Sequence, residues 1–277
     1  MRRALLGVGL LVLAGCGGSS TPGVPTIAPA RTYAVTGFTP AGVIAAGRPV
    51  SISFSIRQPD GTPLTAFKQG SGPHTGVHLI FVRRDLSTVI HLHPALDGSA
   101  TITATATFPE PGPYRLVIDV FPAAGPQSNF QLFRELTVAG TYAPVAAPAP
   151  TATVTAGGYR FTLTGASHLR AVKAALVSVA VTGLDGRPAT PTPWFGALAH
   201  AIFFRQGTLD YFHTHVCAPD VSGCTSVLGA GGASGRPTTP GRIDLGVLIP
   251  VAGTWRLFLE LVLGGRLVTA PFTLVVR

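Results

Sequence analysis

The chain has 277 residues, of which 46% are hydrophobic and only 11% charged, with a net charge of +9. That is enough apolar material for two domains with real cores, and the wealth of Gly and Pro beside short Thr, Val and Leu runs is an all-β composition. The arginines are scattered through the predicted strands and turns, without a basic stripe or aromatic platform, which excludes a nucleic-acid surface. The 11 acidic residues form no paired arrangement, and neither a nucleophile motif nor a phosphate-binding loop is present, so an enzyme is not expected.

Residues 1–16, MRRALLGVGLLVLAGC, join a basic start to an apolar run of signal-peptide length that is too short to span a bilayer. Leu13-Ala14-Gly15-Cys16 resembles the lipobox of bacterial lipoproteins. The resemblance implies cleavage before Cys16, a lipid on its sulfur, and a place on the extracytoplasmic face of the cell membrane. Residues 17–30, small and proline-rich, read as a flexible tether.

The remainder is a repeat. PVSISFSI, HLIFVRR, STVIHLH, SATITATATF, YRLVIDVF and FRELTVA are short β-runs within a first domain at 31–139. An Ala/Pro-rich linker at 140–152 leads to a second domain at 153–277. FPEPGPYRLVIDVF (108–121) matches IPVAGTWRLFLELVL (249–263), aligning Tyr114 with Trp255, Arg115 with Arg256 and Asp119 with Glu260. The turn Asp60-Gly61-Thr62-Pro63 answers Asp185-Gly186-Arg187-Pro188. Run length and spacing predict two tandem immunoglobulin-like β-sandwiches. A weak helical turn is expected only near HLRAVKAAL.

HLIFVRRDLSTVIHLHP (78–94) returns as HAIFFRQGTLDYFHTHV (200–216) with its histidines at the same relative places. In a hairpin turning at Asp85-Leu86, or over 84–87, facing numbers sum to 171, so His78 faces His93 and His91 shares their side of the sheet. A two-residue Gly207-Thr208 tip makes the second sum 415 and groups His200, His213 and His215. Facing and diagonal Cβ atoms lie about 4.5–8 Å apart, within reach of imidazoles converging on one ion. Each domain is therefore expected to bind a metal through its own triplet, unless a register slip leaves structural or surface histidines. The mature chain would keep no methionine, and imidazole suits copper(II) or zinc(II). Water, His74 or a carboxylate can serve as a fourth ligand, although Asp119 and Glu260 read as solvent-facing. Binding should weaken as pH falls through the free-histidine pKa of about 6.5.

Cys217 and Cys224 lie in an insertion confined to the second copy, and in an exported protein they are expected to form a disulfide. The competing reading makes Cys217 a thiolate ligand beside His213 and His215.

A His-led strand, a short turn and a His-x-His end, followed by PGPYRL or AGTWRL, is similar to a poorly characterised family of actinobacterial secreted proteins and lipoproteins, over residues 45–140 and 170–277. More distantly, an exported β-sandwich with clustered histidines resembles CopC-like copper-resistance proteins. Their site uses the mature N-terminal amine, whereas this chain would begin at acylated Cys16, so the likeness is one of architecture. The expectation is a membrane-anchored metal-binding lipoprotein that buffers, senses or passes copper or zinc, with a metal-transfer or envelope protein as partner. The alternative is a metal-free envelope scaffold or adhesion module.

Overall fold

The computed structural model describes residues 32–70, 74–125, 127–217 and 239–277, the Cys217 side chain excepted. Cys16 and the signal peptide, the tether and Cys224 lie outside the described residues, and with them the lipid and disulfide expectations. The described residues are mostly strands and turns, and the one helical segment among them is a single 3-10 turn at Ala166–His168, ending on the first residue of the expected stretch.

The first sandwich packs a sheet of β1 (Ala34–Thr39), β2 (Pro49–Arg57) and β5 (Ile102–Thr107) against one of β3 (Val77–Arg83), β4 (Val89–Leu92), β6 (Gly112–Val120) and β7 (Phe130–Val138), the latter in the order β4-β3-β6-β7. The second repeats this plan. It packs β8 (Thr153–Ala156), β9 (Tyr159–Thr164), β10 (Ala175–Gly183) and β13 (Arg242–Val247) against β11 (Ala197–Arg205), β12 (Tyr211–Cys217), β14 (Gly253–Leu263) and β15 (Arg266–Val276), the latter in the order β12-β11-β14-β15. This is the immunoglobulin-like architecture the run spacing implied. The matched turns share one mechanism. Asp60 and Asp185 each accept a hydrogen bond from the backbone two residues on, and Gly61 (φ 93°) and Gly186 (φ 82°) take the left-handed conformation that the turn requires.

Each sandwich buries its own core. In the first, Val77, Leu79 and Phe81 of β3 meet Tyr114, Leu116 and Ile118 of β6. In the second, Ala199, Ala201 and Phe203 of β11 meet Trp255, Leu257 and Leu259 of β14. In a freestanding sandwich the alternate residues of these strands would face water. They do not. Ile80, Val82, Leu86 and Val117 of the first repeat pack against Ile202, Phe204, Leu209 and Phe258 of the second, so the two sheets lie face to face. Every residue of β3 is buried, and residues 32–277, both sandwiches together, form one compact unit. The linker is fastened too. Arg83 donates to the Ala143 carbonyl (3.2 Å), and Asp85 accepts from the Val145 backbone (2.8 Å).

The hairpins turn over four residues each. Arg83 N–H bonds Thr88 O (3.0 Å) around 84–87, and Arg205 N–H bonds Asp210 O (2.9 Å) around 206–209, so Gly207-Thr208 is the middle of a longer turn than expected. Leu86 (φ 62°) and Leu209 (φ 59°) take a left-handed conformation that costs a leucine about 1–2 kcal/mol, and both are buried in the shared apolar patch that offsets it.

Candidate metal centre

Because both four-residue turns keep the same centre, the facing sums hold. Ile80 pairs with His91 and Leu79 with Leu92 in the first hairpin; His200 pairs with His215 and Ile202 with His213 in the second. The faces carrying these histidines are the faces that pack together, apolar at one end and imidazole at the other. All six rings therefore meet between the sandwiches, with neighbouring rings separated by centroid distances from 4.2 Å (His213–His215) to 6.4 Å (His78–His200). His78, His91, His200 and His215 are buried, and His93 and His213 half-buried.

The carboxylates read as solvent-facing are 4% (Asp119) and 2% (Glu260) exposed. They stand beside His78 and His200 in the strand register but serve the opposite repeat. Glu260 lies 2.9 Å from His91 Nδ1, and Asp119 Oδ2 lies 3.6 Å from His213 Nδ1. Their oxygens are otherwise engaged. Asp119 accepts from Asn129 (2.8 Å), Gln131 (2.8 Å) and the Tyr211 hydroxyl (3.1 Å), and Glu260 from Thr269 (3.4 Å). Each is placed to orient an imidazole across the interface, the role of an outer-shell carboxylate at a metal.

The other rings are aimed as well. His200 Nε2–H donates to the Trp194 carbonyl (3.1 Å), and His78 is hydrogen-bonded to the Thr75 backbone. His215 Nδ1 sits 3.3 Å from His74 Nε2, which makes His74 a neighbour that fixes a ring. These contacts leave six imidazole nitrogens with no partner among the described residues, His78 Nδ1, His91 Nε2, His93 Nε2, His200 Nδ1, His213 Nε2 and His215 Nε2, while His213 Nδ1 has only Asp119 at 3.6 Å. An unsatisfied buried polar atom costs about 1–3 kcal/mol, so such a set asks for a ligand.

Among the described residues, three groups of three bring ligand atoms within 4.8 Å of one another: His78, His91 and His93; His78, His213 and His215; and His91, His200 and His213. The first is the expected triplet of the first repeat. The expected triplet of the second, His200 with His213 and His215, is not among the groups. Its members enter two sets that draw on both repeats.

Burial, with His213 next to it, drives the His78 pKa down to about 3. Burial and the surrounding imidazoles hold His91, His93, His200 and His215 below the ordinary range as well. These five rings are thus neutral, the state that coordinates metal. Burial pushes Glu260 up to about 8. It opposes ionisation of Asp119 too, but His213 and the hydrogen bonds from its neighbours hold that carboxyl at about 2.

Trp194 and Phe195 escaped the sequence reading. They lie in the loop before β11, where the Trp194 ring stands edge-on to His91, His93 and His200, and Phe195 stacks on His93 at 3.8 Å and 7°. The first copy has PHTG (73–76) where the second has PWFG (193–196), so no internal comparison could mark the Trp-Phe pair.

A family model described as a domain of unknown function, DUF8832, matches the chain twice, over residues 31–137 and 152–277. Comparison with curated proteins gives no match. Among solved structures, Salmonella alpha-2-macroglobulin is similar at 13% identity and TM-score 0.28, over 91% of this chain and 15% of that one. The native conformation of E. coli alpha-2-macroglobulin is similar at 14% identity and TM-score 0.28, over 90% and 14%. The fibronectin(III)-like modules of Clostridium thermocellum CbhA are similar at 14% identity and TM-score 0.23, over 88% and 93%. The chain thus spans a small fraction of the macroglobulins it matches.

Proposed function

The chain belongs to the DUF8832 domain family in both of its halves, and we infer that its two repeats jointly hold one divalent transition-metal ion, copper(II) or zinc(II), in the imidazole cluster between them. The observation that carries this reading is the set of unpartnered imidazole nitrogens gathered into three-ligand groups. Neutral imidazoles suit copper(II) and zinc(II), and the Irving–Williams order favours copper. Any two of the three groups share a histidine: His78, His91 or His213. A neutral imidazole has one coordinating lone pair, so two groups cannot both be filled at once. This points to one ion per chain in place of one per domain.

Lipobox and tether support a place on the extracytoplasmic face, where such a protein would buffer, sense or pass the ion to a metal-transfer or envelope partner. A metal-free scaffold is the second reading. It draws on the apolar patch, which docks the sandwiches without help from the histidines, but it leaves the unpartnered nitrogens unexplained.

Copper(II) titration of untagged protein, followed by calorimetry and electron paramagnetic resonance, is expected to saturate at one equivalent. Saturation at two would restore independent domain sites, and no uptake of copper or zinc would leave the scaffold reading. Cys16→Ser is expected to release the protein from membranes or block its processing, and unchanged retention in a detergent partition assay would remove the anchor from the proposal.

A further inference from the structure

We propose that the ion, when held by His78, His213 and His215, keeps a fourth coordination position open toward a cavity of about 350 Å³, and that this position takes a neutral imidazole group supplied from outside the chain. The inference rests on the metal-binding reading above and goes on to name the exchangeable ligand.

No His, Cys, Asp or Glu among the described residues joins this triad as a fourth member within the same reach. The carboxylate nearest to it, Asp119, has its oxygens occupied by Asn129, Gln131 and Tyr211. A tetrahedral ion with three protein ligands leaves its fourth position to an outside donor. Both His213 and His215 line the cavity, so that position has somewhere to face.

The walls select the donor. The Asn129 amide hydrogens go to Asp119 and the Val120 carbonyl; those of Gln131 go to Asp119 and the Asn129 oxygen; the Tyr211 hydroxyl hydrogen goes to Asp119. These groups have no N–H or O–H left for an incoming anion. The aromatic residues His74, Phe121, Tyr211 and Phe212 line the same cavity and favour a flat, neutral guest. An imidazole meets both demands: a nitrogen lone pair for the ion and a planar, uncharged ring for the walls. A free small molecule or a histidine side chain of a partner protein can supply it.

The test uses the full chain loaded with one equivalent of copper(II). Added imidazole is expected to change the paramagnetic resonance spectrum saturably while copper stays on the protein, with azide weaker by about tenfold or more. Gln131 is exposed on edge strand β7, so Gln131→Trp can plug the cavity without touching a core. It should weaken the imidazole response by about tenfold relative to Gln131→Ala, which loses the same donor to Asp119 without filling the cavity. A blocked tripeptide with one internal histidine separates the sources: a matching response admits a partner's side chain, and a response to free imidazole alone confines the position to small molecules. Copper uptake without an imidazole response, azide binding as tightly as imidazole, or an undiminished response in Gln131→Trp overturns this inference alone. A chain that takes up no copper overturns it together with the metal reading.

Discussion

Replacing His78 and His91 together with alanine is expected to abolish metal binding, whereas replacing His93 and His215 together leaves a site. Both variants remove two imidazoles from one cluster, so ligand number alone predicts equal losses. The overlap of the triads predicts otherwise. His78 belongs to two groups and His91 to two, and together they enter all three. His93 and His215 each enter one, and their loss leaves His91, His200 and His213 in place. Losing an outer-shell partner weakens metal binding by about 10–100-fold, and losing at least one direct ligand from every available set should exceed the upper figure, at more than about 100-fold. Copper(II) calorimetry on both variants, with circular dichroism to confirm the fold, makes the comparison. Equal affinities would show that coordination does not run through these triads.

How far this site could be read in the sequence depends on which sheet face is considered. Register within each hairpin was legible because facing numbers have a fixed sum whenever the turn keeps its centre, and the Gly207-Thr208 tip could be too short by two residues without moving a single pair. The sandwich fold was legible for a similar reason: strand length and turn chemistry are local signals. The packing of one sandwich on the other is not local. It decides the fate of every outward-facing residue on β3, β4, β6, β11, β12 and β14.

Asp119 and Glu260 show the consequence. Alternation puts their neighbours Ile118 and Leu259 in the cores, and the default for the opposite face of an antiparallel sheet is water. The signal against that default was present in VHLIFVR and ALAHAIFFR, where alternate positions are apolar on both sides. A strand so patterned is covered twice, and the cover here is the other repeat. The same step regroups the histidines, since triplets assigned within a hairpin become triads that cross the interface.

Acidifying the metal-free protein below pH 6.5 is expected to destabilise it steeply. The His78 pKa is pushed down to about 3 by burial and by His213, and those of His91, His93, His200 and His215 are lowered by burial and neighbouring rings. In the unfolded chain the same rings titrate near 6.5. Below that pH the unfolded state takes up protons that the folded state refuses, so stability falls as pH falls from 6.5 toward the folded values. Glu260 acts in the opposite sense. Raised by burial to about 8, it keeps a proton that the unfolded chain loses near its ordinary value of 4.5, so its contribution declines as pH rises through that window. Asp119, held at about 2, contributes stability above its ordinary 3.8 that is lost as pH falls toward 2, which extends the acid limb.

Between pH 6.5 and 4.5, five rings work against one carboxyl, a net of up to four protons, or about 5 kcal/mol per pH unit at the steepest. Against the roughly 5–15 kcal/mol that holds an ordinary protein folded, this places acid unfolding near pH 5. Copper release on acidification should then follow unfolding and not the titration of free histidine that the sequence led one to expect. Urea midpoints measured from pH 8 to 5 on metal-free protein decide the matter. The parent should be most stable near neutrality, and His93→Ala with His215→Ala should flatten the acid limb by about two protons. A parent whose midpoint does not change between pH 6.5 and 5 would mean that these rings are not held neutral inside the fold.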